Sequence, residues 1–237
     1  MLPCTVKAVI FDMDGLLFDT ESLYREAMVA TAARLGVEMS DATFLRMIGL
    51  PAEASRLLLT EHYGPGFDVE RFWRESAAIF RAMGEGRQYL KAGVIELLDR
   101  IDELGLSRAI ATSSGRGSVE RHLGRHGLTA RFHAIVAHGD YPRGKPNPDP
   151  YLVAAERLKT APEHCLALED SHNGVRAAAS AGMMTVMVPD LIQPNDDIRR
   201  LCVRVARDLH EVCHLVGTPA ANAASTPQPR LPEPPAA

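Results

Sequence analysis

The stretch FDMDGLLFDT, residues 11–20, follows the apolar run VKAVI at 6–10 and places Asp12 and Asp14 two residues apart. Charge is costly to desolvate, so acids at the end of a buried-looking strand need a physical reason. In an extended strand, residues two apart project to the same side. If 6–11 is a central strand, both carboxylates emerge just past its carboxyl end, in the crevice where doubly wound sheets bind ligands. A lone D-x-D would be read as a turn, with one Asp capping it and Gly15 closing it.

The pair is not alone. CLALEDSHNGV, residues 165–175, is a second apolar strand ending in acids, Glu169 and Asp170. Four carboxylates in one crevice repel unless a cation or a proton sits among them. Hard oxygen ligands suit Mg²⁺, which commonly works on phosphate substrates. Two more strand ends carry groups a phosphate needs. SRAIATSSG, 107–115, ends in Thr112, Ser113 and Ser114, and GDYPRGKPNPDPY, 139–151, sets Lys145 in a Pro/Gly-rich loop before a helix. Taken singly, helix capping and a solvated loop charge explain these two. Together, in this order and each at a strand end, they describe a phosphate site.

Around these motifs the chain alternates strand and helix patterns. Strands are predicted at 6–11, 106–112, 132–137, 165–168 and 183–188, with a weaker one at 201–206 that takes in Cys202. Val94, Leu97, Leu98, Ile101 and Leu104 share one helix face, and a further helix runs from about Asn173 to Gly182. That alternation predicts an α/β fold with a parallel sheet covered on both faces. Residues 18–89 break it, with helical patterns at 21–35, 52–62 and 69–83, glycine turns at 64–66 and 84–86, and no convincing strand. The segment from Gly217 is rich in Pro and Ala with few large apolar residues, a composition expected to be disordered.

With 46% hydrophobic and 24% charged residues, the 237-residue chain has enough apolar material for a substantial core. A net charge of −4, with basic residues scattered, gives no nucleic-acid or membrane footprint. The four cysteines fit no disulfide framework. No apolar run approaches the roughly 20 residues of a membrane span, and the N-terminus has no leader pattern. A cytoplasmic protein is expected.

The four motifs resemble those of the haloacid dehalogenase superfamily, in its subgroup with a helical cap inserted after the first motif. FDMDGLLFDT matches the first motif, Thr112 the second, Lys145 in GKPNPDPY the third and LEDSHNGV the fourth, over roughly residues 5–210. The resemblance implies a Rossmann-like core at 1–17 and 91–216, with strand order 3-2-1-4-5, and a cap at 18–90. It also implies a Mg²⁺-dependent phosphatase acting on a small phosphorylated metabolite of sugar or nucleotide type, and a monomer. Asp12 would be the nucleophile and Asp14 the acid/base. Mg²⁺ would be held by Asp12, the Asp14 backbone carbonyl and Asp170, with Glu169 close by. Thr112, the Ser113 N–H and Lys145 would neutralise the phosphoryl oxygens.

Within the superfamily, Asp14 argues against the dehalogenases, which lack that second acid. Residues 18–90 contain no lysine, which argues against the phosphonate-cleaving branch and its cap Schiff base. Beta-phosphoglucomutase is the closer rival. Its cap arginine for a second phosphate falls here on Ala52, so a mutase would need Arg46 or Arg56 instead. Tyr24, Arg46, Leu50 and Trp73 are cap or hinge residues for which substrate contact and cap packing are equal alternatives. His122 and His126, four apart on a predicted helix, are expected to pack rather than to bind metal, as are Cys202, His210, Cys213 and His214. His172, in the fourth-motif loop, is expected at the surface.

Overall fold

The computed structural model describes residues 2–48, 50, 52–84 and 89–217. Strand β1 (Ala8–Phe11) opens the chain and is followed by four helices: α1 (Thr20–Arg34), α2 (Asp41–Leu45), α3 (Ala52–Tyr63) and α4 (Val69–Gly84). After α5 (Val94–Glu103) come β2 (Ser107–Gly115), α6 (Arg116–Arg125), β3 (Ala134–His138) and α7 (Asp149–Arg157). The chain then forms β4 (Cys165–Glu169), α8 (His172–Ser180), β5 (Met184–Met187), α9 (Asp196–Leu201), β6 (Arg204–Val205) and α10 (Leu209–Val216).

Among the described residues, six strands form one sheet in the order β3-β2-β1-β4-β5-β6, parallel throughout. β1 is central, with Phe11 opposite both Ile110 and Leu168. Period-two geometry sends Val9 and Phe11 into one core, with Leu97, Ile101, Val119 and Leu166. Ala8 and Ile10 enter the other, where alanines of β2, β4, α7 and α8 let the helices approach closely around Tyr151. All four residues of β1 are buried, so water is excluded up to the carboxyl edge, where the acids begin.

The predicted strands agree with those observed to within a few residues, with one exception. The weak run at 201–206 yields only Arg204–Val205, and Cys202 precedes the strand as the cap of α9. α2 was not anticipated; Ser40 starts it by accepting the Thr43 N–H at 3.1 Å.

Helices α1–α4 bury a cluster of their own, including Met28, Phe44, Leu59 and Phe72. Tyr24 of α1 stacks on Phe80 of α4 with centroids 4.1 Å apart. Two antiparallel connectors join this bundle to the sheet: the Asp19 N–H donates to Tyr89 O (2.7 Å) and the Lys91 N–H to Leu17 O (2.9 Å). From the sheet side, Leu191 of the loop after β5 packs against the bundle's cluster. Residues 85–86 and 218–237, which carry part of a predicted glycine turn and nearly all of the predicted disordered segment, lie outside the described residues. Among the described residues, no helix is long and apolar enough to cross a membrane.

Candidate active site

The carboxyl ends of β1, β2 and β4 lie side by side, so they deliver Asp12, Thr112 and Glu169 to one place from positions far apart in sequence. Asp12 leaves the sheet one residue past Phe11, its N–H still bonded to Leu168 O at 2.9 Å. Its carboxylate is buried and meets the Lys145 ammonium at 2.5 Å. Lys145 also reaches Glu169 Oε1 at 2.5 Å. One oxygen each from Asp12, Glu169 and Asp170 lie within 4.8 Å of one another, all three residues buried.

Asp14 faces a different set of partners. Thr20 Oγ1 donates to its Oδ1 at 2.9 Å and Ser114 Oγ to its Oδ2 at 2.7 Å, with Thr112 Oγ1 at 3.5 Å from Oδ2. Sequence reading assigned Ser114 to the phosphate loop but did not pair it with Asp14, 100 positions away. Removing that hydroxyl leaves Thr20 and the longer Thr112 contact to hold the acid. On the acid/base role that the motif resemblance implies for Asp14, Ser114→Ala is expected to lower kcat roughly 10-fold, part of the 10²–10⁴ that a positioned acid/base contributes. KM should change much less, which steady-state kinetics will check.

Glu169 is the most heavily bonded acid of the site. Its Oε1 accepts from Lys145 and from Tyr151 Oη at 2.6 Å. Its Oε2 accepts from the Asp170 and Ser171 N–H groups and from Ser171 Oγ, at 3.2, 3.3 and 3.1 Å. Ser171 in turn caps α8 by accepting the Gly174 N–H at 3.1 Å. Tyr151, fully buried with Lys145 Nζ 5.1 Å from its ring centroid, was not singled out from the sequence. Two glycines leave room for the acids. A Cβ on Gly174 would overlap the Glu169 carboxyl, and one on Gly15 (φ +86°) would overlap Asp170 Oδ2.

Burial, reinforced by the neighbouring charges of Glu169 and Asp14, raises the Asp12 carboxyl to about 8 despite Lys145. Asp170 is also held well above the usual carboxylate range, first by burial and then by Asp12, Glu21 and Glu169. Glu21, absent from the sequence-derived site, is raised to about 8 by burial and by Asp190, Asp12 and Asp14. Negative charge therefore exceeds the positive charge available at the site. Hard oxygen donors in that imbalance fit a divalent cation.

A cavity of about 910 Å³ runs from these residues to the helical bundle. Asp14, Glu21, Ser113, Ser114 and Lys145 line its sheet end, and Tyr24, Met47, Leu50, Arg56 and Trp73 its bundle end. Three of the four cap or hinge candidates thus face the cavity, whereas Arg46 is not in its lining. Arg56 lies over Trp73, 5.7 Å from the ring centroid, and pairs with Glu70 at 3.1 Å. His122 is buried, receiving or donating a 2.9 Å hydrogen bond with Tyr89 Oη and packing on Phe18. His172, half-buried, bonds Gln193 O at 3.0 Å.

The family described as haloacid dehalogenase-like hydrolase matches residues 9–188. The probable pseudouridine-5′-phosphatase of Drosophila melanogaster is 37% identical over 78% of this chain and 82% of that protein. The phosphorylated carbohydrates phosphatase of Thermotoga maritima is 34% identical over 75% of this chain and 82% of its own length. Among solved structures, CbbY from Rhodobacter sphaeroides in complex with phosphate superposes with a TM-score of 0.74 at 27% identity, covering 88% of this chain and 96% of that one.

Proposed function

This chain belongs to the haloacid dehalogenase-like hydrolase family, and we propose that it is a Mg²⁺-dependent phosphatase that hydrolyses small sugar- or nucleotide-type phosphate monoesters through an aspartyl-phosphate on Asp12. It is a phosphoric monoester hydrolase in the coarse sense its phosphatase relatives share. The observation that carries the finer proposal is the separation of Asp12 from Asp14. Asp12 lies with Lys145 and the buried acids, whereas Asp14 is turned onto Thr20 and Ser114. Two carboxylates in two environments suit two roles.

Asp12 attacks phosphorus while Lys145, Thr112 and the Ser113 N–H neutralise the phosphoryl oxygens, because preorganised charge supplies most of the catalysis in phosphoryl transfer. Asp14, held by Ser114 and Thr20, gives its proton to the departing oxygen, then takes one from the water that hydrolyses the acyl phosphate. Asp12, the Asp14 backbone carbonyl, Asp170 and Glu169 would hold Mg²⁺. When bound, the ion supplies charge neutralisation for the phosphate and for the acid cluster. Residues 18–90 act as a cap whose face closes the cavity and selects the leaving group.

A mutase needs a second phosphate anchor. Among the described residues of the cavity's bundle end, Arg56 is the arginine present, and Glu70 already pairs with it. Phosphate release from a panel of monoesters, run with and without EDTA, tests the proposal. Glucose-1-phosphate with catalytic glucose-1,6-bisphosphate belongs in the panel, because isomerisation without net release would make the protein a mutase.

A pH prediction follows from the acid cluster. Folding raises Asp12 from 3.8 to about 8, so between those values the native state holds a proton that the unfolded chain has released. Metal-free stability is therefore expected to fall as pH rises through that window, with Glu21 and Asp170 acting in the same direction. Mg²⁺ binding should release protons and restore the lost stability at pH 8. Urea unfolding at pH 5.5 and 8, with and without Mg²⁺, measures both effects. Equal metal-free stability at the two pH values would contradict the assignment.

A further inference from the structure

Lys145 sits in a loop that backbone hydrogen bonds alone cannot hold. Pro142, Pro146 and Pro148 have no N–H to give, so side chains close the turn. Asn147 bonds Gly144 O twice, from its backbone N–H at 3.0 Å and from Nδ2 at 2.9 Å. Outside that closure, Arg143 Nε and Nη2 reach the two oxygens of Asp149 at 3.1 and 3.0 Å. Asp149 is buried and is the first residue of α7, the helix that also carries Tyr151 to Glu169. On the other side, Tyr141 Oη donates to Thr112 O at 3.0 Å, tying the loop to the strand of the phosphate site.

We propose that the Arg143–Asp149 fork is a positioning clasp that fixes Lys145 at the phosphoryl site. A guanidinium matches a carboxylate with two parallel bonds and thereby sets an orientation as well as a distance. The clasp spans the residues on either side of Lys145 and anchors them to the buried first turn of α7. Arg143 itself is largely exposed, so its contribution lies in placement more than in stability. The proposal rests on Lys145 being a phosphate-binding group. The rival role for Arg143, which also lines the cavity, is direct contact with the leaving group.

The test compares Arg143→Ala, Arg143→Lys, Asp149→Asn and the double variant Arg143→Ala/Asp149→Asn, with Lys145→Ala alongside. Each is assayed on two monoesters with unlike leaving groups, for inhibition by orthovanadate and for thermal stability. A clasp predicts that each single variant loses roughly 10- to 100-fold in kcat, the scale of an ångström-sized misplacement. Orthovanadate should weaken in parallel, the two leaving groups should suffer alike, and the double variant should be no worse than either single. Arg143→Lys should not rescue, because an ammonium cannot fork. Arg143→Ala raising KM for one leaving group only, with Asp149→Asn silent, would overturn the clasp in favour of substrate contact. Unchanged kcat in Arg143→Ala would also overturn it, and that exposed substitution stays informative if Asp149→Asn misfolds. Full activity in Lys145→Ala would remove the phosphate-binding assignment itself, and the clasp with it, which separates the two failures.

Discussion

Asp12→Asn is expected to lower kcat by at least about 10⁴-fold, the scale on which removing a nucleophile acts, while the protein remains folded. The amide is nearly isosteric with the carboxylate, so the packing beneath it is preserved. What disappears, on the proposed mechanism, is the attacking oxygen anion and one acidic ligand of the cation. Lys145 keeps Glu169 as a partner at 2.5 Å, so the ammonium is not left bare. Asn also cannot titrate. The metal-free variant should therefore lose the part of the pH-dependent destabilisation that Asp12 contributes between 3.8 and about 8. Phosphate release and urea unfolding on the same preparations measure both. A folded Asp12→Asn variant that kept more than a tenth of wild-type turnover would place the nucleophile elsewhere.

The second large effect is one whose sign differs between sequence and structure. Gly174 lies in the first turn of α8, and alanine is preferred over glycine in helices, by up to about 1 kcal/mol in an interior. Propensity alone therefore predicts that Gly174→Ala stabilises. In the folded protein the added methyl would overlap the carboxyl group of Glu169, which is fully buried. Glu169 has no free direction to yield, because its two oxygens hold Lys145, Tyr151, Ser171 and the Asp170 N–H. Displacing it leaves the Tyr151 phenol without its acceptor and the Lys145 ammonium with Asp12 alone, both away from water. Breaking such a buried pair costs about 3–5 kcal/mol, which outweighs the helix gain. Gly174→Ala is expected to be destabilised by a few kcal/mol and to lose activity together with Lys145 placement. Denaturant titration decides it, and a stabilised variant would show that the cradle relaxes.

The contrast shows which parts of the protein can be read along the chain. Strand β1 was legible because its four apolar residues run straight into Asp12 and Asp14, a local pattern with a local cause. The strand order was implied by the family resemblance, and the helical insertion was read from the missing strand between Phe18 and Tyr89. Thr112, Lys145, Glu169 and Asp170 could be placed at strand ends, and the parallel sheet brings those ends together. What stayed hidden depends on distance in sequence. The Ser114–Asp14 bond joins residues 100 positions apart, and Tyr151 reads as one more aromatic on a helix until β4 sets Glu169 beside it. Gly174 and Gly15 carry no functional group, so their part is visible only in the atoms a side chain would strike. Glu21 reads as an ordinary first-turn acid of α1, and only folding sets it near Asp190, Asp12 and Asp14.

The central claim is a double displacement through Asp12, and the stereochemistry at phosphorus tests it most directly. A monoester made chiral at phosphorus with sulfur and oxygen isotopes is hydrolysed in isotopically labelled water, and the configuration of the released thiophosphate is determined. Two in-line steps, first by Asp12 and then by water, predict net retention whichever step is slower. Net inversion would mean that water attacks the substrate directly, and Asp12 would then be a ligand and not a nucleophile.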